Sequence, residues 1–189
     1  VSDRALLPHQ TAAPKQDWRT PPELFRLLDD EFHFTLDAAA DETNHLCDRW
    51  LGPGGEVEDA LSVPWCWPSG DTIFCNPPYS KEGNPLWAKK FAEGSADNTI
   101  VALINVATSN RWWFDYVVQY ASEIRFLVGR VPFIDPDTEK PIAGNRYDSA
   151  VIVYGAGRGA EIGSKLPFTY WWDWKKALLL APKCESQPQ

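Results

Sequence analysis

Thr72-Ile73-Phe74-Cys75-Asn76-Pro77-Pro78-Tyr79 reads as a short apolar strand that stops at an amide, two prolines and an aromatic ring. The strand stops there because proline has no N–H to give to a ladder, and because the residue before a proline is pushed toward extended backbone. Carbonyl groups in such a turn face outward instead of pairing locally. An apolar run followed by Asn-Pro is also a common loop opening, so the rest of the chain must say whether this turn serves chemistry.

Upstream, Thr20-Pro21-Pro22-Glu23 predicts a helix start, with Thr20 as N-cap, Pro21 at the first helical position and Glu23 closing a capping box. Leu24, Phe25, Leu27, Leu28 and Phe32 follow at helical spacing, so the helix is expected to run to about residue 32. Residues 34–40 predict a short strand ending in Asp37 and the small residues Ala38, Ala39 and Ala40, where a ligand can come close to the backbone. Residues 41–70, with Gly52-Pro53-Gly54-Gly55 and Pro64-Trp65-Cys66-Trp67-Pro68, read as irregular.

Downstream, the pattern predicts a helix over 85–94, an apolar strand over 99–106, a Trp-rich helix over 110–121 and strands over 124–128 and 149–154. The last of these is expected to pair hairpin-like with the strand before it. Alternation of strand and helix gives an α/β fold with a mainly parallel sheet and an antiparallel last strand. Asp37 and Asn76 then both stand at carboxyl ends of strands, where such sheets bind ligands. Residues 1–16 read as a mobile arm, 17–160 as the domain and 161–189 as a segment packed on it by Trp171, Trp172 and Trp174.

Composition sets limits. No apolar run approaches membrane-spanning length, no signal-peptide pattern is visible, and four scattered cysteines with three scattered histidines suggest neither a zinc site nor a disulfide framework. An intracellular, cytoplasmic, metal-free monomer is expected. The net charge of −8 argues against indiscriminate nucleic-acid binding, but residues 1–70 hold 5 Lys+Arg against 13 Asp+Glu, while residues 71–189 hold 13 of each. A basic face could therefore be built from Lys81, Lys89, Lys90, Arg111, Arg125, Arg130, Arg146 and Arg158.

The Asn-Pro-Pro-Tyr turn suits a planar exocyclic amine. The lone pair of such an amine is delocalised into the ring, and attack requires the nitrogen to pyramidalise. The Asn76 side-chain oxygen and the Pro77 carbonyl can each accept one of its N–H groups, with Pro78 stiffening the turn. These bonds strengthen as the nitrogen becomes tetrahedral. Tyr79 can stack on the face of a base taken out of its helix.

With Trp18-Arg19-Thr20-Pro21-Pro22, Leu36-Asp37-Ala38-Ala39-Ala40-Asp41, Glu58-Asp59-Ala60-Leu61 and Asn76-Pro77-Pro78-Tyr79 in this order, the chain resembles phage-type DNA N6-adenine methyltransferases of the Dam group. More loosely it resembles all S-adenosylmethionine-dependent amino-methyltransferases. The likeness runs from about residue 18 to 154. It implies a Rossmann-like fold, S-adenosyl-L-methionine as cofactor and double-stranded DNA as partner, with a phage or prophage protein acting in a host cell. It implies that Trp18 and Thr20 hold the methionine part and that Asp37, with Ala38, lies near its amino group or the sugar. Asp41 and Asn44 are lesser candidates. Asp59, Ala60 and Leu61 are implied at the cofactor adenine. Phe133 is implied as the aromatic clamp on the far face of the flipped base, with Tyr147 as its rival. If the basic face meets a duplex, Lys81 and Arg111 are the expected phosphate contacts.

Two departures stand out. No Gly-x-Gly follows Asp37, and only 22 positions separate Asp37 from Asp59, too few for a helix and a second strand; the cofactor half is abbreviated. The Asn form of the motif also fits methylation of cytosine N4, RNA adenine or protein glutamine, since each offers a planar amine. A catalytically silent nucleic-acid-binding module on the same fold is the remaining alternative.

Overall fold

The computed structural model describes residues 18–65, 70–142, 147–155 and 166–181. The arm over 1–16, Arg146, Arg158, Cys66, Cys184 and parts of the 161–189 segment lie outside them. The described residues form helices α1 (Pro22–Phe32), α2 (Gly83–Gly94) and α3 (Trp174–Leu180), and a π-helix over Trp113–Val118. The strands are β1 (Leu36–Asp37), β2 (Thr72–Cys75), β3 (Thr99–Asn105), β4 (Ala121–Leu127), β5 (Ser149–Tyr154) and β6 (Phe168–Trp172), in one sheet ordered β1-β2-β3-β5-β4-β6.

Pairings β1–β2, β2–β3 and β4–β6 are parallel, whereas β5 runs antiparallel to both β3 and β4. This is the mixed α/β, Rossmann-like sheet expected from the alternation of elements. The antiparallel strand is not the last one, however. Phe168–Trp172 adds a sixth strand at the edge, and its mixed exposure, with Trp171 largely in solvent, hides the alternation that would mark it in sequence. Trp174 is buried and Trp172 packs against the same core cluster.

Each face of the sheet carries its own core. Ile100, Ala102 and Ile104 of β3 meet Trp87 and Phe91 of α2 and Trp113 and Val117 of the π-helix. Val101 and Leu103 face the other way, with Phe74, toward Leu24 and Leu28 of α1, Phe133 and Trp174. Burial on both faces is why β3 is apolar without alternation.

Several local expectations are corrected. Thr20 is not the N-cap of α1: Pro21 holds that place in an extended conformation (ψ 129°), and no side chain caps the helix. A residue before proline avoids the helical region, so Pro21 cannot be the first helical residue when Pro22 follows it. Glu23 is thereby one position short of closing a capping box. The first strand is two residues long, not seven, because from Ala38 onward the chain turns away into the irregular stretch. The Trp-rich segment is a π-helix that gives way to β4 at Ala121.

The basic face is also reduced. Arg125 is buried on β4, bonded to Glu123 (2.8 Å) and to both carboxylate oxygens of Glu31 on α1 (2.6 Å each). Its guanidinium lies against the rings of Phe32 and Trp172. Tyr170 of β6 donates to Glu123 at 2.8 Å. One buried cation thus ties α1, β4 and β6 together. Lys89 pairs with Glu93, Arg111 with Asp115 and Arg130 with Asp148.

Removing Arg125 would leave the buried Glu123 carboxylate without its cation. Arg125→Ala should lower unfolding stability by about 3–5 kcal/mol, measured by chemical denaturation. A change under about 1 kcal/mol would mean that the cluster is not holding the three elements together.

Candidate functional site

The carboxyl ends of β1 and β2 open into a cavity of about 410 Å³, within the range of small-ligand sites. It collects Trp18, Thr20, Asp37, Ala38, Asp41, Asn44, Asp59 and Ala60, which are 58 sequence positions or less from Asn76, together with Asn76 and Pro78 themselves. Leu61 is not in its wall; its side chain packs on the core and its N–H donates to Asp59 Oδ1 at 2.9 Å.

Asp37 is the buried acid of this wall. Its Oδ2 accepts from the Leu46 N–H (3.1 Å) and its Oδ1 from the Ala39 N–H (3.3 Å). Burial pushes its carboxyl up to about 6, against the opposing pull of these two bonds and of His45. Asp41 differs. Burial would raise it too, but the Thr43 N–H and hydroxyl, each at 2.7 Å, hold it below the ordinary carboxylate range. Asn44 accepts the Asp41 N–H at 2.7 Å, which fixes the turn after the three alanines.

The opposite wall depends on Gly52, which has φ of +132° and lies so close to Ala40 that a Cβ would fall 1.9 Å from the Ala40 oxygen. Only glycine fits that approach. Arg19, which sequence reasoning passed over, also lines the cavity. It exchanges backbone bonds with Ile134 (3.0 and 2.9 Å) and donates from Nη2 to Thr43, while its Nε is enclosed with no protein partner. Trp87 of α2 closes the far end. The sequence marks it only as an aromatic on a short helix.

Asn76 lines this cavity, and the two residues that hold its amide, Trp18 and Tyr79, line a second one. Asn76 Nδ2 donates to the Trp18 carbonyl at 3.0 Å, which sets the orientation of the amide. The Tyr79 hydroxyl lies 2.6 Å from Asn76 Oδ1 and 2.9 Å from the Leu103 carbonyl. It has one hydrogen for two acceptors, and the shorter contact would be repulsive without it, so the hydrogen belongs on Asn76 Oδ1. Enclosure of that hydroxyl, with the neighbouring Cys75 adding to it, raises the Tyr79 pKa well above its ordinary value. One Oδ1 lone pair remains. Pro77 is buried beneath the turn and Pro78 is exposed on it.

The second cavity, about 420 Å³, is lined by Trp18, Tyr79, Lys81, Asn84, Asn105, Asn110 and Tyr147 among others. Trp18 belongs to both cavities. Phe133 reaches neither: it is fully buried, its ring 5.9 Å from those of Trp18 and of Tyr79, so it supports the site from behind. Tyr147 is largely exposed at the rim. Arg111 lies outside the wall, paired with Asp115 at 2.8 Å on an exposed face. Asn105 had a signal that reasoning from sequence did not use: like Asn76, it is an amide at the end of an apolar strand.

No His/Cys/Asp/Glu group able to hold a metal occurs among the described residues, and no helix among them is long and apolar enough to cross a membrane. The family model described as DNA N-6-adenine-methyltransferase (Dam) matches residues 8–162. Similar proteins include the DNA N-6-adenine-methyltransferase of Escherichia phage T1, 26% identical over 161 residues, covering 77% of this chain and 65% of that one. The DNA N-6-adenine-methyltransferase of Haemophilus phage HP1 is 29% identical over 144 residues, covering 74% of this chain and 79% of that one. The chain thus spans about two thirds of the phage T1 relative's length. A crystal structure from Listeria monocytogenes, assigned to the class I S-adenosylmethionine-dependent methyltransferases, matches with a TM-score of 0.45 at 10% identity, covering 86% of this chain and 69% of that one.

The raised carboxyl of Asp37 has a signed consequence for ligand-free protein. Folding favours its neutral form, so its contribution to stability is complete below about pH 3.8 and is lost as pH rises through about 6. The stability advantage of Asp37→Asn over wild type should widen by about 3 kcal/mol between about pH 4 and about pH 7, read from urea unfolding at each pH. A pH-independent difference would show that the carboxyl is not buried as described.

Proposed function

Since the chain belongs to the DNA N-6-adenine-methyltransferase (Dam) family, we propose that it methylates N6 of an adenine flipped out of double-stranded DNA, with S-adenosyl-L-methionine as methyl donor. The observation that carries this reading is the Asn76 amide in the wall of the first cavity, held by the Trp18 carbonyl and by the hydroxyl of Tyr79, two residues that line the second. Its remaining Oδ1 lone pair accepts one N–H of the amine, and the Pro77 carbonyl accepts the other. The nitrogen lone pair is thereby directed toward the first cavity.

The residues of that cavity fit the cofactor. Acids at Asp37, Asp41 and Asp59 suit an amino group and hydroxyls, and the partnerless Nε of Arg19 suits a carboxylate. Gly52 lets the wall close on the Ala40 backbone, an approach a side chain would prevent. When bound, the cofactor supplies a methyl carbon made electrophilic by the adjoining sulfonium. Transfer of that methyl to N6 would release S-adenosylhomocysteine, and the extra N6 proton would pass to solvent. Asn76 and Pro77 favour the tetrahedral nitrogen, so their hydrogen bonds tighten toward the transition state.

Tyr79 stacks on one face of the flipped base. Full burial of Phe133 favours Tyr147 for the other face. Lys81, exposed at the mouth of the second cavity, meets phosphate, whereas Arg111 stands farther out. Both named relatives are phage proteins, which supports action on DNA within a host cell.

Nucleoside mass spectrometry of treated, unmethylated DNA tests the activity. Asn76→Ala should abolish N6-methyladenine while leaving calorimetric affinity for S-adenosylhomocysteine nearly unchanged; retained turnover would remove Asn76 from catalysis. Asp37→Ala should weaken that affinity by about 1–3 kcal/mol, and wild-type affinity should fall as pH drops through about 6, where Asp37 gains its proton. Duplex binding should weaken with salt, and Lys81→Ala should shallow the slope by about one counterion. Methyl label found only in added protein, with no salt dependence, would favour a glutamine substrate instead.

A further inference from the structure

Asn105 ends β3 at the wall of the second cavity, and its register partner on β5 is Ser149. Residues directly opposite in an antiparallel pair point to the same face. Both are buried, Asn105 being 8% exposed and Ser149 2%. Neither Asn105 Oδ1 nor Ser149 Oγ has a hydrogen-bond partner. An enclosed amide oxygen left without a donor costs stability that an apolar residue would not, and β3 from Ile100 to Ile104 is apolar on both faces. Its place in the cavity wall points to a ligand.

The register says where that ligand is touched. Cys75 pairs with Ala102, which puts Asn76 beside Leu103, the residue whose carbonyl lies 2.9 Å from the Tyr79 hydroxyl. Asn105 is two residues farther along β3 and on the same face. One strand spacing across and two residues along is roughly 8 Å between backbones, a separation that lets both side chains reach one purine ring. With the amine held at Asn76, the other polar atoms on an adenine edge are ring nitrogens, which only accept. Asn105 can supply the donor they need from Nδ2; its enclosed Oδ1, an acceptor, takes no part in that bond.

We propose that Asn105 is a specificity-determining residue that donates a hydrogen bond to a ring nitrogen of the target adenine. This rests on the methyltransferase reading above. Adenine is thus selected at two points, its amine by Asn76 and its ring by Asn105. A site built to bond a polar ring atom rejects an analogue lacking it, since its own group is then left unpaired.

The test uses duplexes carrying adenine, 1-deazaadenine, 3-deazaadenine or 7-deazaadenine at the target. Wild type should lose about tenfold or more in kcat/KM on one of the analogues. With Asn105→Ala, and with the nearly isosteric Asn105→Leu should the first fold poorly, adenine itself should slow by a similar factor and the penalty for that analogue should vanish. Affinity for S-adenosylhomocysteine should stay within about twofold, because Asn105 is not in the first cavity. Wild-type kcat/KM on adenine in both variants, or full retention of every deaza penalty, would overturn the proposal while leaving the methyltransferase reading intact. Absence of N6-methyladenine with the wild-type protein would overturn that reading and this inference with it.

Discussion

The hydrogen bond from Asn76 Nδ2 to the Trp18 carbonyl spans 58 residues of sequence and is the joint on which the site depends. An amide has two ends, and without a fixed acceptor for its N–H2 it could present either one to a ligand. Trp18 supplies that acceptor because Arg19 is locked to Ile134 by a reciprocal pair of backbone bonds. The segment before α1 is therefore held over the end of β2. The ring of Phe133, buried against Trp18 and Tyr79, keeps the three in contact. Both cavities share this joint, so their relative placement follows from one bond and its supports.

Electrostatics divides the two cavities. The first is walled by carboxylates, one of them desolvated enough to hold its proton to about pH 6. The second is walled by amides, hydroxyls and aromatic rings, with Lys81 as its cation. The acids give the first cavity a negative field that the second lacks.

Much of this was legible in the residues. The period of α1, the continuous apolar run of β3 and the stop at Asn76 each rest on local chemistry that burial then reinforces. The failures have causes of both kinds, local and distant. Pro22 forbids the helical conformation at Pro21, which moves the helix start away from Thr20. Phe133 has the composition of a clamp, but its burial is set by α1 and the sheet, elements far away in sequence. Arg125 reads as surface charge because nothing local announces Glu31, 94 positions away. β6 was hidden by an exposure pattern without period.

The reversed direction of β5 has a consequence for how such a chain diversifies. β4 ends, and β5 begins, at the same end of the sheet as Asn76 and Asn105. The excursion between them therefore leaves and returns on one side, and carries Tyr147 to the rim as it comes back. Had β5 been parallel, its approach would lie at the far end. Lengthening or rewriting that single excursion can alter what is read outside the protein without shifting strand register or the acid-walled cavity. The rim of the second cavity and the wall of the first are thus separable inheritances within one small sheet.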